Sequence, residues 1–112
     1  MGTNGHIGAN ELGTPFDSTL FLAKHEESTI QSTMKEYGIT REEVPTEMLT
    51  LGFTKIFEAE KVILLVSGKH KAKAVKALLE GKVTPDCPAT ALRNCDNSIV
   101  IVDEDASLLE KK

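Results

Sequence analysis

An uninterrupted aliphatic run near the middle of the chain restricts the possible folds more than any other feature. Residues 61–68 read KVILLVSG, in which five consecutive aliphatic side chains precede Ser67 and Gly68. A run without polar alternation is typical of a strand that is buried on both faces, as in parallel sheets. Residues 98–103, SIVIVD, predict a second strand of the same kind. A helical pattern separates the two strands, so the sequence predicts an α/β fold with a parallel sheet.

Three amphipathic patterns predict helices. The first covers residues 25–38 and ends at Gly38, the second follows Pro45, and the third begins near His70 and ends at Gly81. Their inward-facing residues are predicted to be Ile30, Met34 and Tyr37 in the first, Leu49, Phe53, Ile56 and Phe57 in the second, and Ala72, Val75, Leu78 and Leu79 in the third.

The remaining segments suggest a fold that is larger than the chain. Residues 1–18 are rich in Gly, Asn, Thr, Pro and Ser and are predicted to be a loop, and residues 19–23, TLFLA, a short third strand. Three strands are too few to support helices on both faces of a sheet. We therefore expect residues 1–112 to be part of a single three-layer α/β/α sandwich with a mostly parallel sheet.

Composition limits the class of protein. The chain has 112 residues, of which 40% are hydrophobic and 27% charged, and its net charge of −4 argues against a nucleic-acid binder. It contains no apolar run of the length that a membrane span requires and no signal-peptide pattern at its start. Cys87 and Cys95 are too few for a disulfide framework or a zinc site. Free thiols indicate a cytoplasmic protein.

The opening loop TNGHIGANELGTPF, residues 3–16, concentrates groups suited to proton transfer. His6 titrates near neutrality, Glu11 can orient its imidazole, and Asn4 can donate and accept hydrogen bonds. The glycines around them permit tight turns and a close approach to a ligand. The alternative is a disordered polar arm. His25, between acidic neighbours, is predicted to be a surface residue.

The turn after the first buried strand is the second candidate site. In VSGKHKAKAVK, Gly68 ends a strand and Lys71 lies where the next helix begins, a position at which the free N–H groups of α/β proteins bind anions. We therefore expect a phosphate group to bind at the turn that holds the Gly68 amide and Lys71. The full P-loop pattern is absent. The alternative is a solvated, lysine-rich helix face.

Several motifs resemble the glucosamine-6-phosphate deaminase/isomerase family, together with the closely similar galactosamine-6-phosphate isomerases. GTNGHIGANELGTPF is similar to the signature G-x-[DN]-G-H-I-[AG]-F-N-E-P. The stretch VPTEMLTLGFTKIFEAEKVILLVSGKHKAKAVKALLEG follows the family's later pattern, and PATALR and IVIVDEDA extend the match. The resemblance covers nearly the whole chain and corresponds to the C-terminal half of these enzymes.

The resemblance implies conversion of glucosamine 6-phosphate to fructose 6-phosphate and ammonia, without metal or organic cofactor. His6 would assist proton transfer during ring opening, Glu11 would hold and tune it, and Asn4 would support the same relay. Lys71 and Lys35 fall on positions that contact the sugar phosphate. The N-terminal half, with a Ser/Thr-Gly phosphate loop and the Asp that moves the proton between C1 and C2, is missing from this chain.

Four positions depart from the family pattern. Ala9 replaces an aromatic residue and Leu12 a proline, which we expect to loosen the loop and to reduce bulk beside the sugar. Lys35 replaces an arginine, so the charge is kept and the bidentate fork is lost. Phe21 stands where some allosterically regulated members have Arg, which argues against that activation.

Two other functions remain open at this stage. One is a 6-phosphogluconolactonase-like hydrolase, and the other is a non-enzymatic sugar-phosphate-binding effector domain. The expected partners are a sugar phosphate and either a second copy of the chain or the missing half, with neither nucleic acid nor membrane among them.

Overall fold

The computed structural model describes residues 1–107, and the last five residues of the predicted unit 1–112 lie outside it. The strands are β1 (Phe21–Lys24), β2 (Glu47–Thr50), β3 (Val62–Val66) and β4 (Ser98–Val102). The α-helices are α1 (Glu27–Tyr37), α2 (Phe53–Phe57) and α3 (Ala72–Glu80). Short 3₁₀ segments cover Arg41–Glu43, Lys69–Lys71, Pro88–Asn94 and Asp105–Ser107.

The two aliphatic runs form a parallel pair, as predicted. β3 and β4 are in register from Val62 opposite Ser98 to Val66 opposite Val102. One face of the pair packs against α3 and the 3₁₀ segment Pro88–Asn94, where Val75 and Leu78 are fully buried. This face holds the core of the chain.

The other face of the pair, which is predicted to be covered in the complete sandwich, is open within residues 1–107. Ile63, Leu65, Ile99 and Ile101 are 42–69% exposed, and the register places Ile63 opposite Ile99 and Leu65 opposite Ile101. Successive side chains of a strand point to opposite faces, so these four form one continuous apolar surface. Within residues 1–107 the sheet has one helical layer instead of two.

The second predicted helix is wrong in its first part. Leu49 lies in β2, which pairs antiparallel with β1 and places Leu49 opposite Leu22. The helix begins only after Gly52, at Phe53. A Cβ atom on Gly52 would lie 2.2 Å from the backbone oxygen of Thr19, so this position must be glycine where the two segments cross. Strand pairing has overridden the local helical spacing of the apolar residues.

The first and third helices agree with prediction except at one position each. Gly38 ends α1 in the left-handed conformation with φ of 62°, and Ile30 is buried. Tyr37, predicted to face inward, is 68% exposed. In α3, Ala72, Val75 and Leu78 are buried, whereas Leu79 is 47% exposed. Leu79 lies about 100° around the helix from Leu78 and therefore misses the core stripe.

Candidate active site

The opening loop packs against the body of the protein instead of forming a detached arm. Asn10 is fully buried, and its side-chain amide donates to the carbonyl oxygens of Ile7 at 2.9 Å and Leu51 at 2.8 Å. The Ala9 amide donates to Thr50 Oγ1 at 3.1 Å, which ties the loop to β2. The Asn10 side-chain amide and the Ala9 backbone amide are thus hydrogen-bonded, as burial of polar groups requires.

His6 lies between two acceptors. Its Nδ1 is 2.8 Å from Glu11 Oε1 and 2.8 Å from Asn4 Oδ1. The Asn4 oxygen also accepts the backbone N–H of His6 at 3.0 Å, which identifies that atom as the acceptor of the amide group. Because both neighbours of Nδ1 accept hydrogen bonds, we assign the ring proton to Nδ1. Nε2 of the neutral ring then keeps its lone pair.

Glu11 is buried and is held by groups from the start of α1. Thr29 Oγ1 lies 3.0 Å from Oε1 and 2.9 Å from Oε2 of the carboxylate, and the Glu26 amide donates to Oε2. With the imidazole of His6, the carboxylate therefore faces three donors. Burial of a carboxylate is tolerated only with such partners.

The surroundings of His6 favour its neutral form. Burial lowers the pKa of His6 below its usual value of 6.5, and Glu11 opposes that shift. The N-terminal amine, Lys71 and His25 lower the pKa of His6 further. The ring is consequently unprotonated near pH 7, with Nε2 able to accept a proton.

This lowered pKa predicts a specific pH dependence of stability. The unfolded chain takes up a proton at His6 near pH 6.5, and the folded protein does so only at lower pH. The free energy of unfolding should therefore fall as the pH drops below about 6.5, with a slope of at most about 1.4 kcal/mol per pH unit. Urea unfolding at about pH 7.5 and about pH 5.5 measures it, and His6→Gln should flatten the difference. An equal decline in the His6→Gln variant would contradict the prediction.

His6 lines a cavity of about 870 Å³ that both predicted phosphate-binding lysines also line. Lys35 from α1 and Lys71 from the 3₁₀ turn before α3 both line it, with His70 and one acidic residue, Glu36. Lys71 Nζ donates to the carbonyl oxygen of Met1. The α1 side of the cavity carries a row of hydroxyl groups, from Ser28, Thr29, Ser32 and Thr33. The cavity thus combines cations, hydroxyls and the imidazole.

Asn4 and Gly68 lie outside the lining of this cavity. Asn4 contacts two residues of the lining: its side-chain oxygen lies 2.8 Å from His6 Nδ1, and its amide nitrogen donates to Ser28 Oγ at 3.1 Å. The Gly68 amide is bonded to both carboxylate oxygens of Asp103 at 3.1 Å, and Asp103 Oδ1 also accepts the Ala106 amide at 2.8 Å. A carboxylate from the end of β4 therefore occupies the amide that was expected to bind phosphate.

Three of the positions that depart from the family pattern, and both cysteines, lie outside the lining of this cavity. Ala9 and Leu12 line a separate cavity of about 380 Å³, together with Phe21. Both cysteines are free, and burial raises the pKa of the Cys87 thiol, which disfavours a nucleophilic role.

Two residues near His6 are not predictable from the sequence pattern. Thr29 contacts Glu11, and nothing in the spacing of the helix connects it to the loop 18 residues earlier. His25 was predicted at the surface but is half-buried, and within residues 1–107 its buried Nδ1 has no hydrogen-bond partner. The fold brings His25 close enough to lower the pKa of His6. Neither position carries a sequence signal by which it could have been found.

Residues 1–107 offer neither a membrane-spanning helix nor a metal-binding cluster. No helix there combines the length and apolar character needed to cross a membrane. Over the same range, no group of three or more His, Cys, Asp or Glu side chains is arranged to hold a metal ion.

Comparison with known sequences agrees with the motifs. A family model described as glucosamine-6-phosphate isomerases/6-phosphogluconolactonase matches residues 1–101. The glucosamine-6-phosphate deaminase of Streptococcus uberis is 44% identical over 107 residues, which are 96% of this chain and 45% of that protein. The glucosamine-6-phosphate deaminase of Exiguobacterium sibiricum is 43% identical over 109 residues, 97% of this chain and 43% of that protein. The chain thus spans less than half the length of these relatives.

A solved structure shows the same arrangement of elements. It is described as a monomeric glucosamine-6-phosphate deaminase and a missing link of the NagB superfamily, and it superposes with a TM-score of 0.93 at 40% sequence identity. The match covers 97% of this chain and 45% of that chain. The predicted α/β fold and the predicted resemblance are both confirmed. On the extent of the family match and the identity to these relatives, the chain belongs to the family of glucosamine-6-phosphate isomerases and 6-phosphogluconolactonases.

Proposed function

We propose that the full-length gene product converts glucosamine 6-phosphate to fructose 6-phosphate and ammonia, and that residues 1–107 supply the ring-opening and phosphate-binding side of its active site. One observation carries the proposal: the imidazole of His6, oriented by Glu11 and Asn4, lines the same cavity as Lys35 and Lys71. We also propose that the reaction takes place in the cytoplasm.

Ring opening requires two proton transfers, and His6 is suited to both. The hydroxyl on C1 gives up its proton, the bond between C1 and the ring oxygen breaks, and the ring oxygen takes up a proton. The neutral ring of His6 accepts the first proton at Nε2 and returns one to the ring oxygen. Glu11 stabilises the imidazolium formed in between, because its carboxylate already accepts the Nδ1 proton at 2.8 Å. The side-chain oxygen of Asn4 also contacts Nδ1 and helps to fix the orientation of the ring.

The phosphate group is assigned to the lysine side of the cavity. Lys35 and Lys71 come from two different elements and both line the cavity. An ammonium group binds phosphate as a point charge, without the bidentate geometry of arginine, so two lysines can adapt to the sugar phosphate. Gly68 contributes indirectly, by positioning the turn that holds Lys71, since its amide is bonded to Asp103.

One assay with three substrates tests the proposed reaction against its alternatives. The full-length gene product should release ammonia from glucosamine 6-phosphate, with galactosamine 6-phosphate as the epimeric comparison. Hydrolysis of 6-phosphogluconolactone without ammonia release would instead favour a lactonase. Binding of the sugar phosphate without any turnover would favour an effector domain.

The lysine assignment predicts a loss of phosphate affinity in Lys71→Ala. Removal of a charged hydrogen-bonding group should weaken binding of inorganic phosphate about 10-fold or more. Isothermal titration of the full-length product measures it. Lys73→Ala is the matched control, because Lys73 lies two residues further along, is exposed and does not line the cavity. Equal phosphate affinity in the two variants would overturn the assignment of Lys71.

A further inference from the structure

The contact between Thr29 and Glu11 has a geometry that the proposed reaction does not yet explain. The hydroxyl oxygen of Thr29 lies almost equally far from the two carboxylate oxygens, at 3.0 Å and 2.9 Å. The same oxygen is 3.4 Å from His6 Nδ1. Thr29 therefore sits where the carboxylate and the imidazole meet, on the first turn of α1.

The partners of the two carboxylate oxygens show what the hydroxyl adds. Oε2 is also held by the Glu26 amide, whereas Oε1 has His6 as its other partner. Without the hydroxyl, Oε1 would have the imidazole of His6 as its one remaining hydrogen-bond partner among the described residues. A buried carboxylate that loses a donor turns toward another one, since an unsatisfied buried charge is costly.

We propose that Thr29 is a positioning residue, whose hydroxyl fixes the plane of the Glu11 carboxylate so that Oε1 faces Nδ1 of His6. The inference rests on the proposed function in one respect, namely that the His6–Glu11 pair transfers protons. By holding Oε1 in place, Thr29 acts together with Asn4 Oδ1 to keep the ring proton on Nδ1, so that Nε2 keeps its lone pair. Thr29 acts through Glu11 and makes no contact that requires substrate.

Kinetics of the full-length product test the proposal. Thr29→Val keeps the shape of the side chain and removes the hydroxyl, and it should lower kcat about 10-fold or more while KM changes less than about 2-fold. Thr29→Ser restores the hydroxyl and should recover most of kcat. Thr40→Val is the matched control, because the Thr40 hydroxyl also bonds a glutamate, Glu43 at 3.0 Å, at an exposed position away from the cavity. It should leave kcat unchanged.

A spectroscopic readout separates this inference from the proposed function. The ¹⁵N chemical shifts of the His6 ring distinguish a proton on Nδ1 from one on Nε2. Wild type, Thr29→Ser and Thr40→Val should show the Nδ1–H form, and Thr29→Val a mixture of the two. Where circular dichroism shows Thr29→Val unfolded, Thr29→Cys replaces it, since a thiol of similar size is a weak donor.

The outcomes are distinct. If the full-length product has no deaminase activity but Thr29→Val still shows both ring forms, the proposed function is refuted and the positioning role is supported. A Thr29→Val variant that keeps both the wild-type ring form and the wild-type kcat would overturn the positioning role. A loss of kcat that Thr29→Ser does not restore would do the same.

Discussion

His6→Gln and Glu11→Gln are each expected to lower kcat of the full-length product by about 100-fold or more. The reason is the scale of general acid–base catalysis, which typically contributes 10²- to 10⁴-fold. In the structure the two groups form one unit, with Nδ1 of His6 2.8 Å from Glu11 Oε1. Glutamine keeps the approximate size of either side chain but can neither take up the proton nor balance the charge of an imidazolium. Ammonia release from glucosamine 6-phosphate at saturating substrate measures the loss.

The double variant tests whether the pair acts as a unit. Groups that act together are strongly non-additive, so His6→Gln with Glu11→Gln should lose little more than the worse single variant. Glu60→Gln, an exposed carboxylate before β3, serves as the control and should keep wild-type kcat. Fully additive losses would show two independent roles. Wild-type activity in either single variant would remove the proton relay from the mechanism.

The 112-residue chain by itself is expected to show no measurable turnover of glucosamine 6-phosphate. The family resemblance places the enolising Asp and a second phosphate-binding loop in a part of the relatives that this chain does not match. In addition, Ile63, Leu65, Ile99 and Ile101 form an open apolar face on the sheet. Full burial of an aliphatic side chain is worth about 1.5–3 kcal/mol, and covering the exposed part of each of these contributes about half of that, which favours association with another surface. We therefore expect the purified chain to self-associate.

A mixing experiment measures this prediction. The purified chain is assayed alone and after addition of the unmatched part of the Streptococcus uberis deaminase, with light scattering to follow its oligomeric state. Activity is expected only in the mixture. The matched control is the mixture made with the His6→Gln chain, which should remain inactive. Turnover by a monodisperse monomer of the chain alone would show that the expectation is wrong.

Three of the candidate site residues could be identified from the sequence because they lie in one short loop. His6, Glu11 and Asn4 fall within eight positions, and the structure joins them through Nδ1 of the histidine. Lys35 and Lys71 were placed by the family motifs, and the structure brings both to the cavity of His6. Gly68 was expected to offer a free amide, but its partner Asp103 is 35 residues away and could not be identified from the local pattern.

Thr29 and Leu49 show why local patterns fail elsewhere. Thr29 occupies an ordinary position in the first turn of a helix, and its role depends on the packing of α1 against the opening loop. Leu49 fits the helical spacing of its neighbours, yet backbone pairing with β1 places it in a strand. For Leu49 the energy of strand pairing outweighs the weak local preference, and for Thr29 the local pattern gives the helix correctly but not the distant contact.

The sequence alone accounts for the parallel pair β3–β4, the helices α1 and α3, and the grouping of Asn4, His6 and Glu11 in one loop. These features depend on hydrophobic periodicity and on short-range spacing, which the chain carries at every position. The orientation of Glu11, the bond between Asp103 and Gly68, and the open face of the sheet depend on tertiary packing. Each is set by which segments lie against one another, because hydrogen-bond partners and burial are properties of neighbours in space rather than of neighbours in the chain.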